Sequence, residues 1–323
     1  MLQLSDPIDA GRDVGDISLT ASLRQGRLKV DTYVDESLAA FQDWSEETAT
    51  EMLCNGAAPR VLTVKPSRRQ EGFMGADWLW WWLDPDGVCF GMLSQAKRLH
   101  GTPGAREIDF LYRNKNGRQI DLLMHTARDF GVPAVYTLYY GLPDQRADLR
   151  CREHSLACER CRQASVSVLT ALEADEIALQ PRHAAAQAFV QCTPLEQLPF
   201  HDNRSRALYG YLLADGSLSP ALKQFLQQPQ RGARAAARVL LDRVAFERQL
   251  QFSGVSSDTV DVGSEPLFDT LPLDRGHFRE PYFQHILRGL RAAPPAYVMD
   301  ALVSGSLPSW VRQSVAGVVI ART

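Results

Sequence analysis

Residues 78–83 read Trp-Leu-Trp-Trp-Trp-Leu, and a run so aromatic and so apolar leaves few folds open. Aromatic side chains favour extended chain, and the near absence of polar alternation predicts a strand covered on both faces. Asp84-Pro85-Asp86-Gly87 comes next and predicts a tight turn. Proline presets φ at the second turn position, and the Asp-Gly after it tolerates the return bend. The run up to Lys97 then forms the second strand of a hairpin. Asp77 opens the first strand and Gln95-Ala96-Lys97 ends the second. Strand side chains alternate, so Gln95 and Lys97 share one face and Ala96 takes the other. An acid, an amide and an amine gathered by paired strands suit a divalent metal with an activated water. The tryptophans themselves read as core, with base stacking as the functional alternative.

At 323 residues the chain has ample material for one large domain or two. Its formal net charge of −3 means that any surface for nucleic acid must be local. No apolar run approaches the roughly 20 residues of a membrane helix. The N-terminal stretch has neither the basic start nor the apolar segment of a signal peptide, so a cytoplasmic setting is expected. There the six cysteines read as thiols or metal ligands, not disulfides.

In chain order, residues 1–33 are polar and aperiodic and read as a loosely held arm. Leu38, Phe41, Trp44, Ala49, Met52 and Leu53 recur at helical spacing from about Asp35. Ser45-Glu46-Glu47 restarts that helix part-way and Asn55-Gly56 stops it. Residues 60–65 (RVLTVK) predict a strand ended by Pro66. After the hairpin and a basic loop (98–116), Ile120, Leu123, Met124, Ala127 and Phe130 mark a helix, and residues 133–140 a further strand.

The order over 35–140 is thus helix, three strands, helix, strand. With Gly75-Ala76-Asp77-Trp78, Trp80-Trp81 and Gln95-Ala96-Lys97-Arg98 at those places, residues 60–140 resemble the PD-(D/E)xK restriction-endonuclease-like superfamily. More narrowly, they look like an uncharacterised bacterial family of that type. The resemblance implies an α/β chain, with a nuclease-like core at 34–150 after the arm and a mostly helical part at 151–323, either separate or wrapped around the core. It also implies Mg²⁺- or Mn²⁺-dependent hydrolysis of phosphodiesters, with DNA as partner, in a role such as defence against foreign DNA. Asp77 would bind the metal, and Lys97 would act on the attacking water and the phosphate charge. Gln95 stands where the superfamily usually has an acid, and an amide holds Mg²⁺ more weakly than a carboxylate. The Ala96 carbonyl would add a ligand. Glu71 reads either as a second carboxylate or as a solvated loop acid. Gln119 reads either as a surface residue near a helix start or as a match to a position where many relatives hold a polar residue facing the site. The alternative is a catalytically inactive relative that binds nucleic acid or protein, which Gln95 and the acidic balance favour.

A second cluster, Cys151, His154, Cys158 and Cys161, has the spacing C-x2-H-x3-C-x2-C of four zinc-competent ligands. On a continuous helix these residues would span about 15 Å, too far for one tetrahedral ion. A zinc site therefore requires a break near Ser155. His125 and His201 read as ordinary surface or core residues. From about Ala164 the chain reads as mostly helical, including 165–179. Arg234, Arg238, Arg243 and Arg248 lie along its strongest helix, either tracking a phosphate backbone or solvating the helix. Residues 253–269 read as a polar linker, 294–305 as a helix stopped by glycine, and 315–321 as a closing strand.

Overall fold

A computed structural model describes residues 18–65, 78–151, 154–155, 158–202, 206–214, 216, 218–247, 252–256, 264–274 and 278–323. The architecture is mixed α/β, built on one mixed sheet of eight strands among the described residues. These strands are β1 (Val61–Val64), β2 (Trp78–Leu83), β3 (Cys89–Arg98), β4 (Ala134–Tyr139), β5 (Val166–Thr170), β6 (Thr193–Pro194), β7 (Leu290–Arg291) and β8 (Gly317–Arg322). The order is β1-β8-β2-β3-β4-β5-β6, with β7 paired to the start of β3. The four strands expected between residues 60 and 140 share this sheet. However, β8 inserts between the first two, parallel to β2 and antiparallel to β1.

The tryptophan strand is the centre of the core. Trp80, Trp81 and Trp82 are almost wholly buried, as their lack of polar alternation requires. Room for them comes from glycine on the neighbouring strands. Gly91 lies opposite Trp81, where a Cβ would come within 2.7 Å of the indole. Gly317 lies opposite Trp78 in the same way, and a Cβ there would enter the ring. The turn between β2 and β3 closes as expected, with Gly87 at φ 91° and its N–H donating to the Asp84 carbonyl at 3.0 Å.

Helix α1 (Leu19–Ala39) takes up residues 19–33 of the expected arm and runs across the expected boundary at residue 33, while residues 1–17 of that arm lie outside the described residues. Its buried face is Leu19, Ser22, Leu23, Gly26, Val30, Val34 and Ser37. Small residues on that face admit helix α2 (Glu46–Gly56) to backbone contact, where Gly26 meets Gly56. Ser45 caps α2 by accepting from Thr48 N–H at 3.1 Å, so the restart stands. Phe41, expected on the apolar stripe, is 99% exposed in the link between the two helices.

Helix α3 (Gln119–Asp129) carries the chain from β3 to the parallel β4. Residues 166–170, expected as helix, form β5, because Val166-Ser167-Val168 has the period of a strand. Thr170 then opens a helix with a capping box to Glu173. The region after residue 151 therefore adds β5 to β8 to the central sheet and is not only helical. The helix at Ala296–Ser304, with Gly305 in the left-handed region, and the closing strand are as expected. The strand at Phe252–Ser256 takes in the first residues, 253–256, of the expected linker.

The arginines of the helix at Gly232–Glu247 neither face solvent nor form a free row. Arg238 is fully buried and donates to Asp242 at 2.7 Å. Asp242 also binds His201 at 2.6 Å, so His201 is a core residue. Arg234 pairs with Asp84 and Asp86 of the β2–β3 turn, and Arg243 binds the carbonyls of Val190, Gln191 and Cys192. Arg248 lies outside the described residues. His125 is exposed on α3.

Candidate functional site

The far end of β3 carries the first candidate site. Its described ladder with β2 ends at Trp78 opposite Ser94, whereas the ladder with β4 continues to Arg98 opposite Tyr139. Gln95 lies beside Tyr136 and Lys97 beside Leu138 on one face; Ala96 takes the other face beside Thr137. That other face is fastened by the Ser94 and Thr137 hydroxyls at 2.6 Å. Gln95 is buried, at 5% exposure. Lys97 is half-buried, and its ammonium lies 5.4 Å from the centre of the Tyr112 ring. Burial, and then the negative charge of Asp175, push the Tyr136 hydroxyl well above its usual range. Gln119 begins α3, its N–H bound to the Tyr112 carbonyl at 3.0 Å. Its side-chain oxygen is buried with no hydrogen-bond partner among the described residues. Arg98, the last residue of the Gln-Ala-Lys-Arg run, is a structural tie. Its guanidinium grips the Asp43 carboxylate at 2.7 and 2.8 Å and stacks on Trp44.

Asp77 and Glu71 lie outside the described residues. Mg²⁺ prefers carboxylate and other oxygen ligands. Gln95 and the Ala96 carbonyl are the described candidates for that role, and no described group of three or more acids gathers around them. Fitness for a hard cation therefore depends on what Asp77 and Glu71 add.

The second candidate is complete. Among the described residues, the one group of metal-competent side chains that could share an ion is Cys151, His154, Cys158 and Cys161, whose ligand atoms all lie within 4.8 Å of one another. Cys151 Sγ is 3.4 Å from Cys158 Sγ, and His154 Nδ1 is 3.4 Å from Cys161 Sγ. Tetrahedral zinc at its usual bond lengths sets ligands roughly 3.3–3.8 Å apart, so these pairs already stand at the required separation. The chain achieves this by the break near Ser155 that the spacing demanded. Cys158 N–H closes a turn onto the Ser155 carbonyl at 3.1 Å. Cys158 is then the N-cap of a short helix, Glu159–Gln163, which puts Cys158 and Cys161 on one side.

Burial pushes the Cys158 thiol up, but hydrogen bonds from Cys161 N–H, from the Cys151 and Cys161 thiols and from the Ser155 backbone outweigh it, bringing it down to about 7. Burial and its thiol neighbours push Cys161 up to about 11. The cluster thus gives up its first proton readily at Cys158, the form a metal needs. Arg146, buried nearby, binds the carbonyls of Gly141, Cys161 and Arg162 and fixes the ligand helix to the end of β4.

All six cysteines are free thiols. Among the described residues no helix is long and apolar enough to cross a membrane. No curated protein and no solved structure matches the chain. A family model does match, over residues 27–322, so nearly the whole architecture described above is that of one family: the chain belongs to DUF6615, a family of unknown function.

Proposed function

We propose that this protein is a metal-dependent phosphodiesterase acting on DNA, with a restriction-endonuclease-like core and its site at the end of β3. The observation that carries the reading is the register. Asp77 is bonded to Trp78, whose partner Ser94 precedes Gln95, and Lys97 follows on the same face as Gln95. Adjacent strands lie about 4.8 Å apart, so an acid that continued β2 by one residue would reach that face. Asp77, Gln95 and the Ala96 carbonyl would hold Mg²⁺ or Mn²⁺, with Glu71 a further carboxylate. When bound, such an ion supplies Lewis-acid polarisation of the phosphate. Lys97 orients the attacking water and offsets charge on the phosphate oxygens. Tyr112, beside Lys97, limits where its ammonium can point. The assay is cleavage of plasmid and linear DNA with Mg²⁺ or Mn²⁺. Lys97→Ala and Asp77→Asn should each lower the rate by at least about 10³-fold, the scale of losing a charge-stabilising group, while the fold survives. DNA binding without cleavage by the unmutated protein would replace this reading with that of an inactive binding module. The neutral amide of Gln95, where the superfamily usually has an acid, and the net charge of −3 favour that second reading.

We also propose that the Cys151, His154, Cys158 and Cys161 cluster holds one zinc ion. All four positions come from protein side chains, which is the pattern of a structural site. It would staple the long connection between β4 and β5. Metal analysis of the purified chain should find close to one zinc per chain, and a Cys158→Ser variant should lose it.

A further inference from the structure

A cleft of about 480 Å³ opens where the C-terminal end of α3 meets the helices at Ala296–Ser304 and Ser309–Ser314. It lies at the other end of α3 from Gln119, about 16 Å away for 11 residues at 1.5 Å each. Phe130, Tyr297 and Trp310 line it, together with Pro308, Asp129 and Asp300. Phe130 stacks against Trp310 at 5.3 Å between centroids, and Tyr297 meets the same indole edge-on at 5.3 Å. The Tyr297 hydroxyl is held inward by Trp81 Nε1–H at 3.1 Å, which anchors the cleft to the central strand. Trp310 nevertheless remains 49% exposed, whereas the other five tryptophans are buried.

The charge around this exposed ring is one-sided. No Lys or Arg is among the described residues lining the cleft, and both of its charged groups are carboxylates. Among the described residues Asp129 has one ion-pair partner, His125 at 3.8 Å. Asp300 makes no ion pair with a described residue and stands one helical turn after Tyr297. From the cleft, Ala296, Met299 and Val303 run along the outer side of their helix, with Met299 45% and Val303 83% exposed. An indole face flanked by carboxylates suits a cation with a flat, weakly hydrated head, which among side chains is a guanidinium. The apolar stripe suits the residues beside it.

We propose that this cleft binds an arginine-bearing peptide segment, its guanidinium over Trp310 between Asp129 and Asp300 and its apolar neighbours along Met299 and Val303. Nucleic acid does not fit, since its phosphates would meet two unbalanced carboxylates.

The test uses the full chain and short peptides with one central arginine among leucines, set against the same peptides with citrulline or lysine. Acrylamide quenching of tryptophan fluorescence reports Trp310 selectively, because the other indoles are buried. The arginine peptide should protect Trp310. The citrulline peptide, the same shape without the charge, should bind about tenfold more weakly, on the scale of one cation–π contact plus exposed ion pairs. The paired change Asp129→Asn and Asp300→Asn, both at exposed positions, should erase the preference for arginine over citrulline. Calorimetry should show Trp310→Ala losing the binding heat, with a melting curve to confirm that it folds; if it does not, the aspartate pair decides. Equal protection by the citrulline peptide, an unchanged preference in the aspartate pair, or protection by an oligonucleotide but not by the peptide would overturn the proposal. None of these outcomes depends on DNA cleavage.

Discussion

The end of β3 and the Cys–His loop gather chemical groups by opposite means. On β3 the positions are dictated by a ladder: once Gln95 pairs with Tyr136, Lys97 must fall on the same face, two residues on. The groups sit on rigid backbone, yet the described part supplies an amide and an amine and no cluster of three or more metal-competent side chains. In the loop, regular structure sets the spacing only of Cys158 and Cys161, and four ligand atoms still meet within 4.8 Å. A turn at Ser155 and a five-residue helix are enough, with Arg146 holding that helix in place. A ladder fixes direction without guaranteeing that donors are sufficient. A loop guarantees nothing, so four donors found together in one point to a ligand that holds them.

The contrast can be broken most forcefully by removing metal. Stripping zinc with a chelator should lower the melting temperature by at least about 5 °C, since a structural zinc contributes several kcal/mol and each kcal/mol is roughly 2–4 °C in a large domain. Lys97→Ala should leave melting within about 2 °C. A thermal scan of both proteins, with and without chelator, checks this; equal shifts would erase the distinction between a stapling site and a working one.

Acid should separate the two sites next. Thiolates must be free of protons to bind zinc, and the Cys158 thiol titrates at about 7. Lowering the pH from 7 to 5.5 protonates it, so zinc affinity should fall by more than about tenfold. Carboxylates titrate near 4 and stay charged, so Mg²⁺ dependence at β3 should barely move. Competition with a zinc indicator at both pH values, beside a Mg²⁺ titration of cleavage, tests the pair.

The smallest expected effect concerns Gln95→Glu. A carboxylate there should tighten Mg²⁺ binding by up to about tenfold, on the scale of one added ionic ligand. At 5% exposure, the new charge should also lower the melting temperature without metal and recover it with metal. Calorimetric titration beside melting curves reads both. A lower melting temperature with unchanged affinity would make Gln95 a packing residue and support the binding-only reading.

The hairpin of tryptophans, its turn, the Gln-Ala-Lys strand, α3 and β4 were legible because each carried its own periodicity and stop signal. Helix α1 was not, because its buried face uses Ser22, Gly26 and Ser37, and small residues beneath a close helix crossing look like loop. Strand β5 was hidden by the helix that follows it, although Thr170-x-x-Glu173 marks the join. The inward-facing arginines could not be read either. A charged row has the same period whether it meets water or, as with Arg238, a buried aspartate. The cysteine spacing named the four ligands and tied a zinc site to a break near Ser155, but nothing in the sequence forces that break. Position in the sheet was the least accessible: Val318–Ala321 reads as a buried strand anywhere, and nothing local says that its neighbours are β1 and β2.

That placement has a consequence for how the protein is made. A ribosome releases β1, β2 and β3 well before the strand that joins β1 to β2, which begins at Gly317, long after β3 ends at Arg98. Until then the nascent sheet stands in two pieces, with two open edges and the Trp78 ring lacking the Gly317 backbone that packs against it. Such edges invite pairing with other chains, so the growing polypeptide needs shelter until β8 emerges. A message truncated just before codon 317 would yield a chain without an interior strand, a substrate for quality control and not a shortened working protein.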